Sequence, residues 1–424
     1  MTLRTRRIIF YGLFLIFFPF SVGVIFYSQG WRIDFENFRV QKTVAAYIET
    51  SPKSVIIKLN NKIIPDQSGL IKSGTLIPDL LPKNYKLEIQ KDGYWTYRKN
   101  IKVEPSMVAE LVNTVLIPQK FEKTAVVEKL KGYEIVDLNA KRFVVKNPQT
   151  KIYYFYRLND SQTAFNVSAS FNNILKKSET IAQIKLHPFN EVCLMIESAN
   201  VRSAVAAKNL VCGILFKKNK NNKILAWTAD NTNIYIVKSK DRAIFSYNLI
   251  TKNETNIAPL PAGSSTISEI KVSGSQIDVL EKSGDLLLFD SKEKKFRLIA
   301  DNVKNFSFSP DNKKIALIKT KGEIEIYFIE DWYKNIKKKA GDIASFTIEN
   351  KELIKNAYWY KDSFHLFVEY KDENGNSQIN FMEIDDRQPL NRFPILSEFK
   401  NIYYDAIQNL LYFTQNNSLY LIKI

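Results

Sequence analysis

Three patterns of apolar and polar residues follow one another along the chain. Residues 8–31 read IIFYGLFLIFFPFSVGVIFYSQGW and contain no charged side chain. About 20 apolar residues cross a bilayer as a helix, so the stretch predicts a membrane-spanning helix over 8–30. Pro19 fits such a helix as a kink. Tyr27 and Trp31 fall where aromatic rings favour the headgroup region. From 43 to 118 apolar and polar residues alternate in short runs, the period of strands with one face in a core. From 121 to 424 the alternation continues and also repeats itself.

In the middle stretch, strands are expected over 44–49, 55–59, 85–90, 97–103 and 109–116. Turns separate them at Thr50-Ser51-Pro52-Lys53, Asn60-Asn61 and Asp92-Gly93. Five or so short strands predict a small antiparallel β-sandwich. Residues 31–42 read as a polar-aromatic connector. The order of pieces resembles the PEGA domain: Ser51-Pro52-Lys53-Ser54, Asn60-Asn61-Lys62, Leu80-Leu81-Pro82-Lys83-Asn84-Tyr85 and Lys91-Asp92-Gly93-Tyr94-Trp95. Lys53 and Ser54 stand where that family has Gly and Ala. The resemblance covers about 43–118. It implies an extracytoplasmic sandwich beside a membrane anchor, with no catalytic residues to carry over. Tyr94 and Trp95 are read as packing residues.

The repeat is clearest in residues 305–318, NFSFSPDNKKIALI. Similar units are IKLHPFNEVCLMI from Ile184, LAWTADNTNIYIV from Leu225 and AYWYKDSFHLFVE from Ala357. Looser copies start at Ile270 and Tyr403, and an earlier unit covers Arg142-Phe143-Val144-Val145 and 152–157. Each is strand, tight turn, strand. Ser309, Pro310 and Asp311 suit a type I turn, and Asp230 and Asp362 occupy the slot of Asp311. Carboxylates recurring at one turn position are structural, since Asp side chains bond nearby backbone amides there. Starts near 181, 223, 266, 303, 355 and 399 give a period of about 40–45 residues, that of a four-stranded propeller blade. The motif resembles the TolB-type WD40-like repeat. The expected fold is therefore all-β apart from the N-terminal helix: a PEGA-like sandwich over 43–118, then a β-propeller over 121–424. Seven blades are expected, with six or eight as alternatives. The last unit has room for three strands only. An open edge invites pairing with other chains, so 125–130 is expected to supply the fourth. Residues 332–341 are an insertion.

Charge adds a topology. Arg4, Arg6 and Arg7 precede the apolar span within the basic tail 1–7 and no acid accompanies them. Positive residues stay on the cytoplasmic side, so everything beyond residue 31 is expected outside, on a single-pass protein of the cell membrane. The lipid bilayer is the partner of residues 8–30. A cleaved signal peptide is the alternative, with small-residue pairs at Ser21/Gly23 and Ser28/Gly30. The formal net charge is +17, spread as lysines without a nucleic-acid-binding arm. It suits a solvated surface and permits attraction to anionic lipid or acidic wall polymer.

Two cysteines and two histidines leave little for a metal site. No nucleophile elbow, phosphate loop or dinucleotide fingerprint occurs, so no catalytic, cofactor or metal residue is assigned and the ligand-binding residues stay open. His187 lies in a turn slot and His365 at the start of a strand. Asp385-Asp386 reads as a solvated turn. Cys193 and Cys212 are expected on neighbouring strands of one blade, joined by a hairpin centred near Arg202-Ser203. That register leaves either a disulfide or two free core thiols. The function implied is a non-catalytic, membrane-anchored surface protein whose propeller binds an envelope protein or glycan, not nucleic acid. The alternatives are a structural part of a cell-envelope or secretion assembly and an exported hydrolase or protease-associated propeller.

Overall fold

Leu3–Ser28 forms one α-helix of 26 residues with Pro19 inside it and no buried side chain. Thr2 caps it by accepting from the Thr5 amide at 3.3 Å. The helix is long and apolar enough to cross a membrane. The computed structural model describes residues 2–35, 38–69, 71–105, 107–127, 132–139, 142–157, 160–166, 179–186, 192–198, 201–206, 224–230, 232–263, 266–347 and 353–424, with only the backbone for 160–206. The chain divides into two units. One holds residues 1–120 together with 332–337 and 385–393; the other holds the rest.

In the first unit the helix is followed by a hairpin, Trp31–Asp34 paired with Arg39–Lys42, within the stretch read as a polar-aromatic connector. The sandwich then has seven strands rather than five. One sheet orders Gly74–Leu80, Val44–Ser51 and Ala109–Val115; the other orders Lys62–Ile64, Ile56–Leu59, Asn84–Gln90 and Tyr97–Lys102. It is not wholly antiparallel, because Val44–Ser51 pairs in parallel with Ala109–Val115. The chain passes through the other sheet between these two strands, and such a crossover returns in the original direction. Gly74–Leu80 was hidden by Pro78, which a strand accepts at an edge. Inward residues such as Ala46, Ile48, Ile57, Leu87, Ile89, Ile101 and Leu111 form the core. Asp66 ties the long loop down by accepting from the Val55 and Ser68 amides and the Thr75 hydroxyl at 2.7–3.1 Å. Burial works against its charge, but these bonds prevail and hold its carboxyl at about 2.

One edge of each sandwich sheet is finished by distant residues of the same unit. Asn391 accepts from the Arg98 amide at 3.0 Å and donates to the Arg98 carbonyl at 2.7 Å. Two residues on, the Asn100 amide donates to the Gln388 carbonyl at 2.9 Å. On the other sheet Asn335 does the same to Val112, at 2.8 and 3.0 Å. Each asparagine amide thus takes the place of a neighbouring strand's peptide group. Lys99, between the two bonded residues, is fully buried and donates to the Arg387 carbonyl at 2.7 Å.

The described residues of the second unit form seven antiparallel sheets. First strands are Glu134–Asn139, Glu179–Leu186, Ile224–Ala229, Ile267–Ser273, Val303–Phe308, Leu353–Trp359 and Ile402–Asp405. In the first six, pairing with the second strand skips one residue near the start, at 136, 182, 225, 268, 304 and 355. This repeated bulge increases twist at one level of every sheet. The seventh sheet orders Ile402–Asp405, Leu410–Gln415, Ser418–Lys423 and then Thr124–Val127. Thr124 faces Leu421 and Val127 faces Leu419, so the start of this unit closes its end. Leu138, Phe143 and Val145 of the first sheet pack with Tyr412 and Leu419 of the seventh.

The cysteine register differs from expectation. The second and third strands of the second sheet turn between Ser198 and Val201, and Cys193 faces Ala206. The turn is therefore centred three residues earlier than Arg202-Ser203. Cys212 lies outside the described residues.

Two predictions follow from this architecture. Replacing both Ala125 and Val126 by proline removes at least one inward amide from the closing strand; calorimetry should show melting lowered on the order of 10 °C. Asp278 is wholly buried opposite Lys271, and neither carboxylate oxygen has a hydrogen-bond partner among the described residues. Burial drives its pKa well above the ordinary value, against the pull of Lys271. Its protonated form is the one the fold holds, so this residue's contribution is full below about pH 4 and is lost as pH rises. Asp278→Asn should therefore gain on the order of 2 kcal/mol at pH 7.5, with the gain shrinking on acidification.

Candidate functional site

The repeated turn is held by its own aspartates. Asp311 Oδ1 accepts from the Lys313 amide at 3.1 Å, and Oδ2 takes the buried Lys314 ammonium at 2.8 Å. Ser309 Oγ donates to the Lys314 carbonyl at 3.1 Å and accepts its amide at 3.0 Å. The Asn312 amide closes the turn on the Ser309 carbonyl, across Pro310, at 2.9 Å. Asp362 Oδ1 accepts from the Phe364 and His365 amides at 2.7 and 3.2 Å, while Oδ2 meets His365 Nδ1 at 2.7 Å. Asp230 Oδ1 accepts from the Thr232 and Asn233 amides at 2.8 and 2.7 Å, and Oδ2 accepts from the Tyr235 hydroxyl at 2.8 Å. One oxygen thus binds the backbone and the other a side chain that differs each time. Burial opposes the charge on Asp311 and Asp230, and the bonds outweigh it, so both carboxyls sit below their ordinary value. Burial also brings the Lys314 ammonium down to about 8 in spite of Asp311.

A fourth member escaped the sequence pattern. Asp405 Oδ1 accepts from the Ile407 and Gln408 amides at 2.9 and 3.3 Å, and its Oδ2 is buried with no partner among the described residues. His365 stacks on Phe381 with centroids 4.7 Å apart and is buried. Tyr360 meets it edge to face with centroids 6.3 Å apart. His187 lies outside the described residues. Asp385 is not the solvated turn residue expected: it is buried and chelates the Arg387 guanidinium at 2.9 and 3.1 Å. Arg4, Arg6 and Arg7 lie exposed in the first turns of the helix.

A site with room for a ligand lies elsewhere among the described residues. A cleft of about 330 Å³ opens where the first and seventh sheets meet, lined by Tyr133, Glu134, Ile135, Lys400, Asn401, Thr414, Gln415, Asn416 and Asn417. Its floor is fixed. The Lys400 and Thr414 backbones exchange bonds with Thr414 and Asn401 at 3.0 Å, and Thr414 Oγ1 accepts from the Asn401 amide at 3.0 Å. Gln415 Oε1 accepts from Lys123 at 3.0 Å. Asn416 and Asn417 both take positive φ, 51° and 58°, the backbone of a two-residue hairpin turn. Glu134, Lys400, Asn416 and Asn417 present exposed side chains. Strand direction fixes which edge this is. Residues 133–135 and 400–401 lead into first strands and 414–417 join a second strand to a third, so all sit at one edge of the sheets. The turns of Asp230, Asp311, Asp362 and Asp405 join first strands to second and sit at the opposite edge. Sequence reasoning missed the cleft; the Asn416-Asn417 turn signal was its only local trace.

Residues 189–385 match the family model of the NUP159/214 beta propeller. The second unit is a β-propeller. Among solved structures the chain is similar to the crystal structure of the tricorn protease, with a TM-score of 0.49 and 9% identity. The alignment covers 83% of this chain and 39% of that chain, so this chain spans well under half of that protein's length. No curated protein matches.

The propeller turn gives a direct test. Asp311→Ala strands the buried Lys314 ammonium, and chemical denaturation at pH 7 should show a loss of about 2 kcal/mol. Because the Asp311 carboxyl is depressed, its contribution is present above about pH 4 and fades as pH falls through the folded value. On the alkaline side the deficit should also shrink above pH 8, where Lys314 sheds its proton.

Proposed function

We propose that the protein is a membrane-anchored, extracytoplasmic binding protein whose seven-bladed propeller holds a protein or glycan partner in the seam cleft, without catalysis. The observation that carries this reading is the cleft's lining. Amide and hydroxyl side chains from Asn401, Thr414, Gln415, Asn416 and Asn417 surround one tyrosine, Tyr133, with Glu134 and Lys400 at the rim. Such groups both donate and accept, which suits sugar hydroxyls or the peptide groups of a partner. The apolar helix with Arg4, Arg6 and Arg7 before it supports anchoring with the N-terminus in the cytoplasm. The sandwich, with its PEGA-like sequence, lies between the helix and the propeller along the chain.

A photoreactive residue at position 400 should crosslink the partner in intact cells. One at Lys292, exposed at the opposite edge of the sheets, should not. Equal crosslinking at both positions would remove the cleft from the reading. Protease added to wall-stripped cells should digest residues beyond 31, and full protection would reverse the topology.

A further inference from the structure

The hairpin after the helix has two unlike faces. Its facing pairs are Trp31–Lys42, Arg32–Gln41, Ile33–Val40 and Asp34–Arg39. Side chains alternate along a strand, so Trp31, Ile33, Val40 and Lys42 share one face and Arg32, Asp34, Arg39 and Gln41 the other. The polar face is engaged within the unit. Asp34 is buried and accepts from Gln41 at 3.3 Å, and Arg32 reaches Asp79 at 3.0 Å. The apolar face is bare. Ile33 is 55% and Val40 60% exposed, and beside them near the tip Phe35 is 75% and Phe38 87% exposed. Four large apolar side chains uncovered within eight residues mark an interaction surface.

This surface begins where the helix ends, and the junction is fixed. The Thr43 amide and hydroxyl both donate to the Gly30 carbonyl, at 2.7 and 2.8 Å. Arg32 donates to the Tyr27 carbonyl at 2.7 Å and lies 3.6 Å above the Tyr27 ring. Phe26 and Trp31 meet edge to face with centroids 6.1 Å apart. At ~1.5 Å per residue the helix is longer than the ~30 Å hydrocarbon layer, so its last turn and the attached hairpin reach the interface. Lys42, on the apolar face, is exposed there, with the charge that lipid phosphates attract.

We infer that the apolar side of this hairpin, Ile33, Phe35, Phe38 and Val40, is seated in the interfacial layer of the leaflet from which the helix emerges, with lipid as its partner. Lys42, on the same face, bonds headgroup phosphates, and the hairpin is a second membrane contact that sets the tilt of the unit it carries. The inference rests on the helix being an anchor. The reasons are continuity with the helix and the pairing of aromatic tip with cationic flank, the composition that favours this layer.

The test uses the full chain, with Cys193→Ser and Cys212→Ser, in vesicles of phosphatidylcholine and phosphatidylglycerol. Nitroxide labels on Ile33→Cys, Phe38→Cys and Val40→Cys report collision with oxygen against a water-soluble nickel complex. The ratio should be about fivefold higher at these positions than at Ile71→Cys, a fully exposed site in the sandwich, and should fall back at Gln41→Cys on the other face. Ratios at 33, 38 and 40 equal to that at 71, with Phe14→Cys still shielded in lipid, would overturn the inference and leave the anchor standing. Spin coupling between chains at 38 would also overturn it, by giving the face to a second copy. Nickel access at Phe14 would remove the anchor itself. If Ile33→Cys misfolds, Val40→Cys reports the same face.

Discussion

A strand at the edge of a sheet carries a row of peptide groups with no neighbour, and much of this molecule is organised around satisfying them. The two sheets of the sandwich have four such edges, two of them capped by distant residues, and the seventh sheet of the propeller is one strand short until the start of its unit joins it. Asn391 and Gln388 finish the Arg98–Asn100 edge, Asn335 finishes the Val112 edge, and Thr124–Val127 supplies the missing strand of the seventh sheet. The partners are far apart in sequence, by 293 residues for Arg98 and Asn391 and by 223 for Val112 and Asn335. Neither unit is one contiguous stretch of chain. Each is complete only when late residues have been synthesised, and such long loop closures slow folding and expose edges meanwhile. A side-chain amide is an economical cap, since one asparagine satisfies a donor and an acceptor together.

What the sequence disclosed depended on whether the determining contacts were local. The Ser309-Pro310-Asp311 turn is held by residues two to five apart, so its copies could be found and the sheets placed from them. Ring closure was legible for a different reason: the last unit lacked a strand and an apolar run was waiting near 125. The parallel pairing of Val44–Ser51 with Ala109–Val115 left no local mark, and Pro78 disguised an edge strand. The cysteine register failed because it depended on loop length, and the real turn between Ser198 and Val201 is tight. Asp385 reads as solvated until Lys99 and Arg387 are seen beside it.

The buried charges show how context sets the energetics of one residue type. Lys99 is accepted by backbone carbonyls, with the Asp385 carboxylate 3.9 Å away. Lys314 has the Asp311 carboxylate at 2.8 Å. Asp278 lies opposite a lysine too, yet Lys271 turns to Asn305 at 2.9 Å and to the Phe306 carbonyl. Lys271 thereby links the fourth sheet to the fifth, and Asn305 continues the link to Asn356 of the sixth at 2.9 Å. The carboxylate left behind is best held neutral, the usual outcome for an unpaired buried acid.

The two edges of the propeller differ in how strictly they repeat, and that difference separates scaffold from site. At the first turns the Oδ1 bonds to backbone recur at Asp230, Asp311, Asp362 and Asp405, while the Oδ2 partner changes from tyrosine to lysine to histidine, and Asp405 Oδ2 has none among the described residues. The backbone half is what the fold requires; the other half is filled by whatever each blade offers. At the opposite edge the seam brings together residues 133–135 and 414–417, which belong to the start and end of the ring and meet only through closure. A repeat architecture offers near-equivalent surfaces everywhere else. The seam is where its symmetry is necessarily broken, and it is there that the cleft with an unrepeated set of polar side chains lies.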